Sequence, residues 1–540
     1  MEFDLVIKNG RIVDGSGNPW FRADIGIHGR KIRKIGRLDG SSAERTIDAE
    51  GLIVAPGFID IHTHNELTLM ISPEADKIRM GVTTEIGGLC GVSAAPIAKD
   101  RFEEHLVAFY TVGGAYSFFV NNPAVKWDWS TFGEYMQKLK NLKFSVNFGS
   151  YVGHLNVRIV TMGLVDRVAT EEELEDMKKV VAEAMENGAF GLSTALSYTA
   201  ADTREIIELC KVVARYGGHY AQHDRDNTIE STREGIEIAE KAKVPLQLSH
   251  HAKMQAANED LEMIENARER GVDLLMDHWF VPYGGAAGPI AMLPRWAREG
   301  GLTKVMERLK DPETRRRIKD ELSRRGRLPR WENRVLRGVG SEKNRIYCNM
   351  NFAEIAKLKG VDPFDALFDM YIEENGVMEI DSSPTFIDDR PPDLSPEMLR
   401  YLKSPLMMIG SDSIAEANTS FLPDPRAYGV YPGILEYYVR EKKYLTLEDA
   451  IRKMTSLPAQ RLGLRDRGLI REGMWADVVI FDKGRIKSMS FPGPPEKANR
   501  FAEGIEYVIV NGEVTLDRGE HTGVFPGKVL QSNGNPSPDR

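Results

Sequence analysis

Five side chains of the types that bind a borderline divalent cation stand at the ends of short apolar runs. His62 and His64 close GFIDIHTH, His223 closes GGHYAQH, His250 closes VPLQLSH, and Asp412 closes PLMMIGSD. Residues i and i+2 of a strand share a face, so the imidazoles of His62-Thr63-His64 aim at one point. A lone histidine is more often a packed core residue. Five donors, each terminal on its run, are better explained as ligands of Zn²⁺ or a similar ion. Such an ion acidifies water and polarises carbonyls, which is the chemistry of hydrolysis. Cys90 ends a further run, VTTEIGGLC. Its bland reading is a small buried hydrophobe; its functional reading is a thiolate whose sulfur bridges two ions.

The elements that would position these residues are eight candidate strands at 57–64, 82–90, 144–154, 189–195, 217–223, 244–250, 272–278 and 405–412. Amphipathic stretches lie between several of them, including EEELEDMKKVVAEAMENG (171–188) and TREIIELCKVVARYG (203–217). Eight βα units predict a (β/α)₈ barrel, whose catalytic residues sit where strands meet the following loops. Between the seventh and eighth strands, residues 284–345 include a charged helical stretch too long for a simple loop. It is read as a helical insertion at the barrel mouth, either a lid or a solvated hairpin. Both chain ends are β-rich. DLVIKNGRIVDG reads as strand, Asn-Gly turn, strand, and IEYVIVNGEVTLDRGE repeats the pattern. The expected organisation is therefore a small β-sandwich domain from residues 1–54 and 466–540 around a barrel at 55–465.

Composition narrows the function classes. The 540 residues carry a formal charge of −9, with 42% hydrophobic and 28% charged side chains, an ordinary globular mixture. No dense Lys/Arg block supports nucleic-acid binding. Three cysteines, Cys90, Cys210 and Cys348, make no disulfide framework and suit a reducing, cytoplasmic compartment. The N-terminus lacks an apolar signal core, and no apolar run is long enough to span a bilayer. The expected partner is a small-molecule substrate, with no nucleic acid and no membrane; the oligomeric state stays open.

The chain resembles the amidohydrolase superfamily and, within it, the N-acyl-D-amino-acid deacylases. The likeness covers nearly the whole chain, through PGFIDIHTH, GVTTEIGGLCGVSAAP, VGHLNVR, GAFGLSTALSY, AQHDRD, LSHH, GSD, DPRAYG and RGLIREGMWADVVIFD. Many two-metal barrel hydrolases bridge their ions with a carbamylated lysine from strand four. AFGLSTALSY contains no lysine, which favours the Cys90 thiolate. The resemblance implies that Cys90, His223 and His250 hold a tighter zinc, and that His62, His64 and Asp412 form a second, weaker site sharing Cys90. Asp412 would take a proton from the attacking water and deliver it to the departing amine; its bland reading is a helix N-cap before Ser413.

For the substrate carboxylate the resemblance nominates Arg426, with Tyr283, Tyr198 and Lys253 as helpers. Three positions depart from the family pattern. Ala252 stands where the family has its lysine, Asp424 precedes PRAYG where histidine is frequent, and DHWFVPY replaces a YPY motif. Among the other candidates, His251 should point away from His250, and His219 should be buried in the barrel wall. His278 and Glu85 are read as structural, and His154 stands open between structure and substrate contact. The implied activity is zinc-dependent hydrolysis of N-acyl-D-amino acids. The alternatives are a dipeptidase for C-terminal D-residues, or a cyclic-amide hydrolase of dihydropyrimidinase or dihydroorotase type. A catalytically dead scaffold would be expected to lose ligands, and six are retained.

Overall fold

Asn9-Gly10 does not turn the chain. In the computed structural model, which describes residues 2–281, 286–324, 330–381, 393–415, 424–490 and 500–532, β1 runs unbroken from Phe3 to Ile12. Asn9 does take the left-handed φ of 62°, but this yields a bulge in the pairing with β2 (Phe21–His28). Asn9 is held there by Asp24 and Asp48. At Gly10 a Cβ would stand 2.5 Å from Val54, so glycine lets β1 lie against β5 (Ile53–Pro56). The second Asn-Gly behaves as expected. Asn511 and Gly512, at φ 48° and 84°, join β19 (Ile505–Val510) to β20 (Glu513–Asp517) in a hairpin.

These strands belong to one nine-stranded sheet built from both chain ends. It also contains β3 (Lys31–Gly36), β4 (Ala43–Asp48), β18 (Val478–Phe481) and β21 (Glu520–His521). Leu5, Ile7, Ile25 and Ile27 share a buried cluster with Val478, Ile480 and Ile509.

Each of the eight candidate runs contains a parallel strand. β6 (Phe58–Asp60), β7 (Val82–Gly87) and β8 (Asn147–Ser150) form one sheet. The other begins with β9 (Val152–Gly153) and continues through β10 (Gly191–Ala195), β11 (His219–His223) and β12 (Leu246–Leu248). It ends with β13 (Leu274–His278) and β17 (Met407–Ile409). The third run thus supplies two short strands on either side of Tyr151, one to each sheet. Backbone bonds join the sheets on both sides: Tyr151 N donates to Gly87 O and Phe190 N to Ser150 O, while Asp412 N donates to His62 O and His64 N to Ser413 O. The expected helices form at Glu171–Glu186, opened by a Thr170–Glu173 capping box, and at Thr203–Arg215, capped by Asp202.

The segment between β13 and β17 holds more than the one charged helical stretch that the sequence pattern marks. Its helices Leu302–Lys310 and Pro312–Arg324 are followed by three more, Phe352–Lys359, Pro363–Glu373 and Pro396–Lys403. It also builds its own three-stranded antiparallel sheet from β14 (Ala286–Ala287), β15 (Val335–Val339) and β16 (Met378–Asp381). β15 and β16 are buried along their whole length; Met378–Asp381 does alternate apolar and polar residues, but over four positions only, too short a run to mark a strand in sequence.

Candidate active site

A buried lysine aligns the strand ends. Lys77 Nζ donates to Asp60 Oδ2 at 2.8 Å, Thr63 Oγ1 at 2.5 Å, Ser411 Oγ at 2.7 Å and the Ser413 carbonyl at 3.1 Å. It thereby ties the segment carrying His62 and His64 to the segment carrying Asp412. Three donors sit on strained backbone: Cys90, His250 and Asp412 have φ of 49°, 37° and 48°. Non-glycine residues in that region persist only where the surroundings over-determine them.

The six expected donors converge as two groups sharing one sulfur, His62–His64–Cys90–Asp412 and Cys90–His223–His250, with the ligand atoms of each group within 4.8 Å of one another. Cys90 Sγ lies 3.4 Å from His62 Nε2, 3.4 Å from His223 Nδ1 and 3.5 Å from His250 Nε2. His250 Nε2 and His223 Nδ1 are 3.0 Å apart. Asp412 Oδ1 is 3.3 Å from His62 Nε2 and 3.2 Å from His64 Nε2. Donors on a tetrahedral zinc, at bond lengths of about 2.0–2.3 Å, stand about 3.3–3.8 Å from one another. The donor set therefore fits such an ion in both chemistry and spacing.

Further side chains set the tautomers. Asp277 Oδ1 accepts from His62 Nδ1 at 2.9 Å, leaving the Nε2 lone pair toward the cluster. The Tyr116 hydroxyl donates to Glu66 Oε2 at 2.7 Å, so at 3.2 Å it accepts from His64 Nδ1, with the same result. Asp277 also accepts from His250 N. None of Asp277, Tyr116, Glu66 or Lys77 stood out in the sequence. Asp277 was the findable one: side chains alternate along a strand, so the neighbour of His278 faces the other way.

The charges are mutually dependent. Burial pushes the Cys90 thiol up, but His62, His250 and His223 outweigh it and hold the thiol well below its ordinary range. Burial likewise opposes ionisation of Asp412, and Arg426, His62 and His64 hold its carboxyl far down. For His62 and His64, burial is overcome by Asp277, Cys90 and Asp412. His62 rises well above the ordinary imidazole range and His64 rises to about 9. The cluster is a buried site that draws positive charge.

The donors open onto a cavity of about 830 Å³ that is also lined by Tyr198, Trp279, Glu379, Asp424 and Arg426. Arg426 NH1 donates to Asp412 Oδ2 at 2.9 Å, its other nitrogens reach Asp424, and its plane lies 4.7 Å from the Trp279 ring. The Tyr198 ring lies 5.4 Å from that of His223, and burial pushes its hydroxyl up to about 12. Lys253 is placed elsewhere. It is 2% exposed, and its ammonium donates to Asp224 and to the Asp226 carbonyl. Tyr283 lies outside the described residues. His251 bonds Asp260 and His219 bonds the Phe190 carbonyl, both buried. His278 accepts from Phe280 N and packs against Trp279. His154 pairs with Glu205 at 2.7 Å, beside the Arg158–Glu205 ion pair. Glu85 accepts from Asn65, and burial pushes its carboxyl up to about 7.

A model of the amidohydrolase family matches residues 45–516. The chain belongs to the amidohydrolase family. Among amidohydrolases it is 32% identical, over 98% of its own length and 97% of the relative's, to a D-aminoacylase of Alcaligenes xylosoxydans xylosoxydans. The structure of an N-acyl-D-glutamate deacylase from Bordetella bronchiseptica, complexed with zinc and a phosphonate inhibitor, matches with a TM-score of 0.79. The two are 27% identical over 98% of this chain and all of the other. A D-aminoacylase with a binuclear metal centre matches with a TM-score of 0.78 at 28% identity, over 98% of this chain and all of the other. Among the described residues no helix of this amidohydrolase is long and apolar enough to cross a membrane.

Proposed function

We propose that the protein is a metal-dependent hydrolase of N-acyl-D-amino acids, releasing a carboxylate and a free D-amino acid. The observation that carries this reading is the position of Cys90, the shared donor of two ligand groups at the floor of a cavity that also holds Asp412. A cyclic-amide hydrolase of the lysine-bridged type would need a lysine where β10 has none. D-selectivity is taken from the D-aminoacylase and D-glutamate deacylase likeness.

Cys90, His223 and His250 would hold the tighter Zn²⁺, and His62, His64 and Asp412 a weaker second ion with Cys90 in common. When bound, zinc supplies a Lewis acid that polarises the amide carbonyl and acidifies water. Asp412 Oδ1, facing both His62 and His64, accepts the proton of the attacking water and returns it to the leaving nitrogen. Arg426 orients that carboxylate through Oδ2 and offers the substrate carboxylate a guanidinium stacked on Trp279. Tyr198, in the cavity wall beside His223, would be a further substrate contact. A thiolate ligand suits a reducing compartment such as the cytoplasm.

The scaffold follows the same reading. The two parallel sheets are arcs of one closed (β/α)₈ barrel. The nine-stranded sheet folds over as a small sandwich of residues 1–54 and 466–540. The test is hydrolysis of paired N-acetyl-D- and N-acetyl-L-amino acids by zinc-loaded protein, beside dihydrouracil. Turnover confined to the D-series is expected; turnover of the cyclic amide alone would overturn the assignment.

A further inference from the structure

One wall of the cavity carries a carboxylate that the proposed reaction leaves unused. Glu379 lies on β16, is 2% exposed, and lines the same cavity as Asp412 and Arg426. Its Oε2 has no hydrogen-bond partner among the described residues. Folded proteins leave few such atoms, because an unpaired buried oxygen forfeits its hydration for nothing. The two arginines whose charge reaches Glu379, Arg337 and Arg426, make no bond to this oxygen. Arg337 is paired with Asp381 at 2.7 Å, and Arg426 is shared between Asp412 and Asp424.

The position is also held in place. Gly114 packs so closely on β16 that a Cβ there would stand 2.9 Å from Glu379 Cα and 3.0 Å from Met378 O. The adjoining Gly113 and Ala115 line the cavity. Glu379 is therefore fixed by a tight contact at the cavity edge.

The charges point the same way. Glu379, Asp412 and Asp424 face the cavity against one arginine, and two of those three carboxylates already share it. An ammonium or guanidinium arriving beside Glu379 would hold its carboxyl ionised and pair with it, whereas a second substrate carboxylate would find no positive partner there. Burial, Asp424 and Asp381 push the Glu379 carboxyl up to about 8, as expected of a site that lacks its positive partner.

We propose that Glu379 is a specificity-determining residue that receives a positively charged group of the substrate, an ammonium or a guanidinium. The inference rests on the hydrolase reading above and names its substrate class. The cation has two sources, the side chain of the D-residue or a free α-amine on the acyl half. Matched pairs separate them. N-acetyl-D-lysine against N-acetyl-D-norleucine tests the side chain, and glycyl-D-alanine against N-propionyl-D-alanine tests the acyl half.

The zinc-loaded protein is expected to favour the cationic member of one pair by at least about tenfold in kcat/KM. Glu379→Gln, which keeps the shape, should bring that ratio close to one. The corresponding products, D-lysine against D-norleucine or glycine against propionate, should show the same order in inhibition constants. Ratios near one in both pairs for the wild-type protein would overturn the inference, whether or not the variant folds. So would a cation preference that survives Glu379→Gln. Turnover of the neutral substrates without cation preference removes only the role of Glu379. Failure to turn over any of the four removes the hydrolase reading itself.

Discussion

The donors and the selective wall of the cavity come from different parts of the molecule and are held in different ways. His223 ends a parallel strand and His62, His64, Cys90, His250 and Asp412 follow one, three of them on left-handed backbone. Lys77, Asp277 and Tyr116 fix what surrounds them. Glu379 instead sits within a strand of the inserted sheet, and Arg426 opens the helix Arg426–Gly433. Neither has the left-handed φ seen at three of the donors. Three donors thus rest on strained backbone, while Glu379 and Arg426 rest on ordinary strand and helix backbone. With Glu379 and Arg426 reading the substrate as proposed, reaction class and substrate choice would reside in separate elements.

Removing the metal gives the largest expected effect. Chelation should abolish hydrolysis and added Zn²⁺ restore it, and Cys90→Ala should lower bound zinc by elemental analysis. Full activity in metal-free protein would break the contrast at its base. Next is Asp412→Asn, expected to cut kcat by about 10²–10⁴-fold with metal content largely kept; near-normal turnover would remove its proton role. Asp277→Asn, which touches no substrate, should weaken zinc binding by about 10–100-fold. Unchanged affinity in a metal titration would mean that the donors do not depend on their supports.

Arg426→Ala belongs to the wall and should raise KM for carboxylate-bearing substrates by about tenfold, more than it lowers kcat. A loss confined to kcat would move Arg426 to the donor side. The smallest effect concerns Glu205, away from the donors. Its burial disfavours ionisation, but His154 and Arg158 outweigh it and lower its carboxyl from 4.5 to about 2. A depressed carboxylate stabilises the fold above its unfolded pKa, and that contribution is lost as pH falls through the folded one. The stability gap between wild type and Glu205→Gln should therefore be full above pH 4.5 and close toward pH 2, as read by denaturant unfolding. A gap that persists to the lowest pH would exclude the linkage.

Much of the donor side was legible in the sequence. Strand ends marked by His, Cys and Asp are local signals, and the eight runs lie where strands form. The second Asn-Gly was read correctly and the first was not, because only β5 and Asp24 packed against it turn a hairpin signal into a bulge. The inserted sheet was missed because its strands are only two to five residues long, too short for a period to show, and β15 and β16 pair across two intervening helices.

Residue types at the ends of apolar runs by themselves pointed to the donor candidates and the parallel βα pattern, because each signal is local to its own run and recurs along the chain. Tertiary structure alone decided that Asp277 and Tyr116 orient the imidazoles, that Lys253 is committed to Asp224, and that Glu379 faces the cavity. Those pairings join residues tens to hundreds of positions apart. Which buried charge meets which depends on how the elements pack.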